Sequence, residues 1–430
     1  MNNVKSKSNG EKAPKNVFIL GLVSFFNDMA SEMVYPIVPI FLTSVLKVST
    51  PIVGLIEGIA EATAAIGKFI FGYLSDKVGR RKPFVIAGYS FSTISKVLIG
   101  LANVWPLVLL ARFIDRLGKG VRTSARDSLL LQNTTKNNKG FIFGYHRAFD
   151  SAGAVLGPII SLILIYFFRE NLRFVFYFAA IPGVIGVLLL IFFVKEKVQE
   201  TRSPVYYKQE KARPRNFISP LEPLRSREVQ SRKKIRNLRF FQNFSLIWKN
   251  KKLSLFFIAS IIFSLGNSSD AFLILRAKNL GLTTLLAVLT YVVYNLSQTL
   301  LATPMGKLSD KIGAKRVFEG GLLIFSVVYF FFGFIKNPAF LWLLFPIYGI
   351  YIAATDGVSK AYVAEFITEK ESGSYFGLYQ SATAVSSFFA SGVAGILWYK
   401  ISPSTTFYYG SLMALLAFLI LSYGKLFKKI

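Results

Sequence analysis

The run RFIDRLGKGVRTSARD at 112–127 carries seven charged residues. It lies within a segment of the chain that is long and otherwise largely apolar. Arg112, Arg116, Lys119 and Arg126 are spaced by four, three and seven residues, which places them along one face of a helix. Such a positive stripe can attract a carboxylate, sulfonate or phosphate group. The alternative is an internal network of ion pairs with acids on other helices, together with side chains that reach the cytoplasmic interface. Within the run itself, Asp115 can pair with Lys119 one turn on. The sequence leaves both open.

Acidic residues occur in the other apolar segments, where an isolated charge must pair, face a cavity or lie near the interface. Asp28 and Glu32 are one helical turn apart in the first segment and share a face. Either carboxylate can carry a proton, and either can form a fixed pair with the fourth segment. The acidic candidates for the path of substrate or protons are Asp28, Glu32, Glu61, Asp115, Asp127, Asp150 and Asp270.

The second and fifth segments place their titratable residues at different depths. Glu57 lies near the end of its segment and is expected to be solvated, whereas Glu61 lies deeper. His146, the single histidine, is expected to be a hydrogen-bonded packing residue near a helix end. Asp150 is further into its segment and is therefore the better proton carrier.

The composition indicates a protein that lies in lipid. Apolar residues make up 53% of the 430-residue chain, more than a soluble core of this length could bury. The net charge of +29 comes from Lys and Arg that lie between and beside the apolar runs, which excludes nucleic acid as the expected partner. The chain has no cysteine, no nucleotide-binding loop and no metal-ligand motif. We therefore expect neither an enzyme nor a cofactor or metal site.

Twelve apolar segments have the length of a bilayer span. They predict an all-α membrane protein with twelve transmembrane helices in two pseudo-symmetric six-helix bundles. The domain boundaries expected are a tail at 1–15, a bundle at 16–194, a basic linker at 195–251, a bundle at 252–424 and a tail at 425–430. The segments lie at about 16–43, 51–75, 83–103, 106–131, 140–167, 173–194, 252–277, 284–308, 317–335, 339–366, 374–399 and 405–424.

Positive residues predict the orientation. If the chain crosses twelve times, both tails, the linker and the loops near residues 80, 137 and 314 lie on one side and carry most of the Lys and Arg. Because such loops are cytoplasmic as a rule, both termini are expected in the cytoplasm, with the chain in the cell membrane.

One charged run occurs twice. GYLSDKVGRRK at 72–82 returns as GKLSDKIGAKR at 306–316, an offset of 234 residues, and each copy stands between two apolar segments. This predicts two homologous halves, each with a helix-to-helix turn at the membrane surface.

The two sets of six segments, the basic linker and the repeated G-x-L-S-D-K-x-G run resemble the major facilitator superfamily of secondary transporters, over nearly the whole chain. The resemblance implies that the turn after helix 2 is a conformational latch. Ala314 stands in the second copy where Arg80 stands in the first, so the second latch is expected to be weaker. The residues implicated are Gly72, Asp76, Gly79, Arg80 and Arg81, with Gly306, Asp310, Gly313 and Lys315 in the second copy.

Helix 5 carries the run G-x-x-x-G-P at Gly153, Gly157 and Pro158, which is similar to part of the signature of the superfamily's antiporters. The glycines allow close packing and the proline bends a helix, which would serve a gate. Ordinary helix packing explains the same small residues.

The resemblance and the buried charges together favour a secondary transporter that moves a small molecule by alternating access, as a proton-coupled exporter of drug-like or metabolic compounds. An organic-anion carrier, by symport or uniport, is the alternative that the arginines of helix 4 suggest. A receptor that keeps the fold but signals through its linker is the alternative from another class. Protons, lipid and a small-molecule substrate are the expected partners, and the protein is expected to be a monomer.

Overall fold

A computed structural model describes residues 14–78, 80–133, 139–196, 250–366 and 372–423. Within these residues the chain is helical and forms twelve long elements in the order that the apolar segments predict. The helices are α1 (Lys15–Val34), α2 (Thr50–Val78), α3 (Lys82–Leu101), α4 (Trp105–Leu131), α5 (Lys139–Phe167), α6 (Leu172–Phe193), α7a (Lys251–Gly266) with α7b (Ala271–Asn279), α8 (Thr284–Ile312), α9 (Ala314–Phe334), α10 (Leu341–Ala364), α11 (Ser372–Lys400) and α12 (Pro403–Tyr423).

Eleven of the described helical spans are long and apolar enough to cross a membrane. The remaining long helix, α4, carries the seven charges of the run at 112–127 and is the exception by composition. Its length of 27 residues still suffices to cross a bilayer. Charge in α4 therefore has to be accommodated by its neighbours.

The first and seventh spans are interrupted. After α1 ends at Val34, the chain continues through a short helix at Val38–Ile40 and a π-helical turn at Phe41–Val45, as Pro36 and Pro39 require. The seventh span, predicted as one helix, is two helices separated at residues 267–270, where Asn267 leaves the helical region with φ −86° and ψ 83°.

Each charged repeat stands between two helices, as the sequence predicts, but most of its residues are helical. α2 continues to Val78 and α8 to Ile312, so only the last few residues of each run form the turn. Gly313 has φ 96°, a backbone conformation that favours glycine, and α9 begins directly after it. This conformation explains the second glycine of the repeat.

The chain divides into two compact units by its contacts. The first unit comprises Met1–Lys47, Ile66–Lys197 and Thr283–Val292, and the second comprises Val48–Ala65, Val198–Leu282 and Val293–Ile430. The first part of α2 thus belongs to the second unit, and the first part of α8 belongs to the first unit.

Small residues allow close helix packing within each unit. In the first unit, a Cβ at Gly153 would lie 2.4 Å from the carbonyl oxygen of Phe25, and one at Gly157 would lie 2.5 Å from that of Met29. These contacts join α5 to α1. In the second unit the first part of α2 meets α11, where a Cβ at Gly395 would lie 2.5 Å from the carbonyl oxygen of Thr50.

The sequence repeat extends to the packing of the helices. Gly100 lies in the last turn of α3 and packs against the ring of Tyr177. Gly333, at an offset of 233 residues, lies in the last turn of α9 and packs against the ring of Tyr408. Arg173 donates to the Gly100 carbonyl at 2.7 Å, and Arg276 donates to the Gly333 carbonyl at 3.3 Å. Each unit therefore closes the same helix end with an arginine, although the two arginines come from different helices.

Candidate functional sites in the two units

A polar cluster centred on Ser24 joins four helices of the first unit. The Ser24 hydroxyl on α1 lies 3.0 Å from Tyr89 Oη on α3 and 3.0 Å from His146 Nε2 on α5. Arg126 on α4 donates to the same hydroxyl at 3.1 Å. Ser24, Tyr89 and His146 are buried. His146 therefore has the hydrogen-bonded packing position that the sequence predicts.

Asp150 belongs to the same cluster. Its carboxylate lies 3.5 Å from His146 Nδ1, 3.9 Å from Arg126 Nη1 and 3.9 Å from the exposed Arg147. Arg126 also donates to Asp127 Oδ1 through Nε at 3.2 Å and Nη2 at 3.1 Å. One partly buried arginine thus lies between two carboxylates, and the structure brings together three of the predicted residues, Arg126, Asp127 and Asp150.

A second cluster contains a lysine that the sequence analysis did not select. Lys96 of α3, 2% exposed, lies 3.9 Å from Asp115 Oδ1 and donates to the Ser92 carbonyl at 2.7 Å. Arg122 donates to the Ser92 hydroxyl and lies over the ring of Tyr89, 4.8 Å from its centroid. The signal was present in the sequence, since Lys96 is the one charged residue inside the third apolar segment.

A third group surrounds Tyr35. The guanidinium groups of Arg112 and Arg116 lie 5.6 and 5.7 Å from the centre of its ring, within the range of cation–π attraction. On α8 the Tyr291 hydroxyl donates to Glu32 at 2.6 Å, and its ring lies 5.6 Å from that of Tyr35. The basic residues of α4 are therefore distributed over three groups, an arrangement that favours the network over a single positive stripe.

In the second unit the break in α7 places a carboxylate among tyrosines. Asp270 precedes α7b but does not cap it with its side chain. It accepts hydrogen bonds from Tyr294 of α8 and Tyr348 of α10, each at 2.6 Å. Asn267, which lies in the break, donates a hydrogen bond to the hydroxyl of Tyr351 on α10 at 3.1 Å. The remaining predicted acid of this unit, Glu61, acts on Asp270 through its charge.

Glu57 differs from its prediction. It was expected to be solvated, but it is 1% exposed and accepts a hydrogen bond from the Ser269 hydroxyl at 3.3 Å. The first part of α2 packs within the second unit, and this packing covers the residue. Position along a helix therefore did not indicate its solvation.

The predicted latch residues are only partly described. Gly72 and Asp76 lie in the last turns of α2, and Gly79 lies outside the described residues. Arg80 is exposed, and Glu196 accepts from the backbone N–H groups of Arg81 and Lys82 at the start of α3.

In the second copy of the run, Gly306 and Asp310 lie in the last turns of α8, and Asp310 is exposed. Lys315 pairs with Glu319 at 3.2 Å and donates to the Leu421 carbonyl at 2.8 Å. The latch role of both copies stays a prediction.

The helix 5 residues proposed as a gate form the packing surface against α1. Gly153 and Gly157 meet backbone atoms of α1, and Ser161 donates to the Met33 carbonyl at 2.7 Å. Pro158 lies inside α5. The contacts account for the small residues by packing alone, and a gating role stays a prediction.

A fold of twelve long helices with charged clusters inside the spans defines the class of membrane transporters. The sequence profile described as Major Facilitator Superfamily matches residues 20–293 and 256–427. The chain belongs to the major facilitator superfamily. It is an integral, multi-pass membrane transporter of that type, and the predicted fold class is confirmed.

Similar proteins agree with this assignment. An uncharacterised MFS-type transporter of Methanocaldococcus jannaschii is 37% identical over 97% of this chain and 96% of its own. The multidrug resistance protein MdtG of Citrobacter koseri is 25% identical over 75% of this chain and 73% of its own. A crystal structure of the nucleoside transporter NupG matches with a TM-score of 0.75 and 13% identity, over 95% of this chain and 99% of that one, and shows the shared fold.

Proposed function

We propose that the protein is a proton-coupled exporter of drug-like or metabolic compounds in the cell membrane, with both termini in the cytoplasm. The observation that carries the coupling is Arg126 between Asp127 and the buried Asp150. Protonation of Asp150 would remove one of the two negative charges that hold Arg126. The arginine could then re-pair, and an ion-pair rearrangement of this kind can bias two conformations of a transporter.

Export is supported by two features. The similarity to the multidrug resistance protein MdtG covers three quarters of this chain, and the G-x-x-x-G-P run of helix 5 is partly that of antiporters. The excess of Lys and Arg in the tails and the linker supports the orientation. A cytoplasmic cargo would then leave as protons enter.

The test uses liposomes that contain the purified protein and a pH-sensitive dye in the lumen. A panel of organic cations, organic anions and neutral drugs is added outside, and lumenal pH and compound uptake are followed together. We expect one class of compound to move with protons in opposite directions. Asp150→Asn should abolish the proton movement and leave exchange of labelled for unlabelled compound, because exchange needs no net proton transfer.

Asp356→Asn is the matched control, since this carboxylate is exposed and pairs with Lys360 on the surface of α10. It should behave as the unmodified protein. If a compound is taken up without a pH gradient and the lumenal pH does not change, the result would contradict proton coupling. If no compound moves in any condition, the receptor alternative gains, and deletion of linker residues 225–239 would then test signalling.

A further inference from the structure

We propose that the break in α7 forms a binding site for the cationic group of an organic cargo, with the Asp270 carboxylate as counter-ion and tyrosines around it. This inference names the cargo class of the transporter proposed above and rests on that function. The observations that carry it are the hydrogen-bond partners of Asp270, the charges near it and the tyrosine rings around it.

Asp270 lacks a cation within the described residues. Its oxygens accept hydrogen bonds from Tyr294 and Tyr348, and no described Lys or Arg forms an ion pair with it. Among charged groups, Glu61 and Glu57 act on it most strongly, and both have the same sign as Asp270. A carboxylate can accept about four hydrogen bonds, so the two phenols leave acceptor capacity for a ligand.

The nearest basic residue along the chain is already committed. Arg276, six residues after Asp270, donates to the carbonyls of Phe332, Gly333 and Ile335 and to the side chain of Asn279. These bonds hold the guanidinium at the end of α9. It is therefore not available as a fixed counter-ion for Asp270.

Aromatic rings provide the second half of a cation site. Tyr348 is 1% exposed, and its ring lies 5.4 Å from that of Tyr294 and 6.1 Å from that of Tyr329. Tyrosine rings with a carboxylate attract ammonium and other organic cations through the ring quadrupole and the charge. Asp270 itself is partly exposed, so a ligand can reach it.

Two further hydroxyls, those of Tyr329 and Ser268, adjoin each other at this place, and the Tyr329 hydroxyl also adjoins that of Tyr348. Tyr329 Oη lies on a fully buried side chain, and Ser268 Oγ lies in the break itself. Each hydroxyl oxygen has two lone pairs, so these groups add acceptors to the surroundings of the carboxylate. Among the described residues no group of three His, Cys, Asp or Glu could hold a metal ion, so an organic cation fits better than a metal.

Two probes of one shape and opposite charge test the proposal: tetraphenylphosphonium and tetraphenylborate. The full chain in detergent is heated with each, and the midpoint of unfolding is measured against probe concentration, because specific binding stabilises a protein by mass action. We expect tetraphenylphosphonium to raise the midpoint and tetraphenylborate to leave it unchanged. Asp270→Asn should weaken the phosphonium response by about tenfold, and Asp356→Asn should not change it.

If the Asp270→Asn variant does not fold, the Asp270→Glu variant is measured in its place. The Asp270→Glu variant keeps the negative charge and should keep the preference for the cation. Equal responses to the two probes, or an Asp270→Asn response equal to that of the unmodified protein, would overturn the inference. The binding assay needs no gradient and no transport. A protein that binds the phosphonium but moves no protons would contradict the proposed function alone, and one that exports anions without binding the phosphonium would contradict only this inference.

Discussion

Lys96 and Asp115 form an ion pair whose two members have unequal surroundings. Asp115 lies within electrostatic reach of Arg112, Arg116 and Arg122 as well as Lys96. Lys96 is 2% exposed, and the acids that act on it are Asp115 and, more weakly, Asp28. Loss of Asp115 would therefore leave a buried ammonium with little compensation, whereas loss of Lys96 would leave a carboxylate that still has arginines nearby.

The first prediction follows from this difference. Asp115→Asn should lower the unfolding midpoint by several degrees, and Lys96→Met should lower it less, since an uncompensated buried charge costs about 3–5 kcal/mol. The double variant should recover part of the loss. The midpoints of the four proteins in detergent form a double-mutant cycle. Equal losses in the two single variants would contradict the argument.

At the scale of residues, the sequence predicted most of the charges that lie inside the spans but not their partners on other helices. Arg126 and Asp150 were selected as candidates because a charge in an apolar helix is costly, and they do lie together. Lys96 was missed, and Glu57 was expected to be solvated. Partners such as Tyr348 for Asp270 are 78 residues apart in the chain, and no local pattern relates them.

Close packing of α11 on the first part of α2 depends on one glycine and not on its neighbour. A Cβ at Gly395 would lie 2.5 Å from the Thr50 carbonyl oxygen and 2.8 Å from Pro51 Cα, both backbone atoms. A Cβ at Gly392, almost one turn earlier on α11, would meet nothing within 4 Å. Thr50 also donates to the Gly395 carbonyl at 3.2 Å.

The second prediction compares these two positions. Gly395→Ala should destabilise the protein by about 1–3 kcal/mol, because backbone atoms cannot move aside as a flexible side chain would. Gly392→Ala should be neutral or slightly stabilising, since alanine favours a helix. Thermal unfolding of the two variants under the same conditions provides the measurement. A loss in Gly392→Ala as large as that in Gly395→Ala would show that the clash is not the cause.

At the scale of elements, length and hydropathy predicted all twelve spans. They did not predict where the first and seventh spans are interrupted. The break at 267–270 has the sequence NSSD and directly follows a run of apolar residues. This sequence is also compatible with a continuous helix. Helix breaks at membrane depth are tolerated where neighbouring groups satisfy the backbone, and those groups come from distant parts of the chain. The charged repeats were placed at turns because each stands between two apolar segments, and α2 and α8 continue through most of each run before the chain turns.

At the scale of the whole molecule, two short segments belong to the unit formed mainly by the other half of the chain. Residues 48–65 of the N-terminal half belong to the second unit, and residues 283–292 of the C-terminal half belong to the first. Alternating access requires a transporter to open at each membrane face in turn. If the protein transports by alternating access, as its sequence predicts, we expect contacts of these two segments to break in one state and form in the other.

The third prediction tests one such contact with a cleavable cross-link. Thr284 donates to Glu170 at 3.2 Å within the first unit, and the chain has no native cysteine, so paired cysteines can be labelled without a background. Glu170→Cys with Thr284→Cys, joined by a bifunctional disulfide-linked reagent, should stop transport, and a reductant should restore it. The pair Asn16→Cys with Lys195→Cys is the control, because these residues contact each other inside the N-terminal half of the chain and need not separate. Full transport by the linked 170–284 protein would mean that this contact persists through the cycle, and arrest of the control pair would mean that the reagent itself blocks the protein.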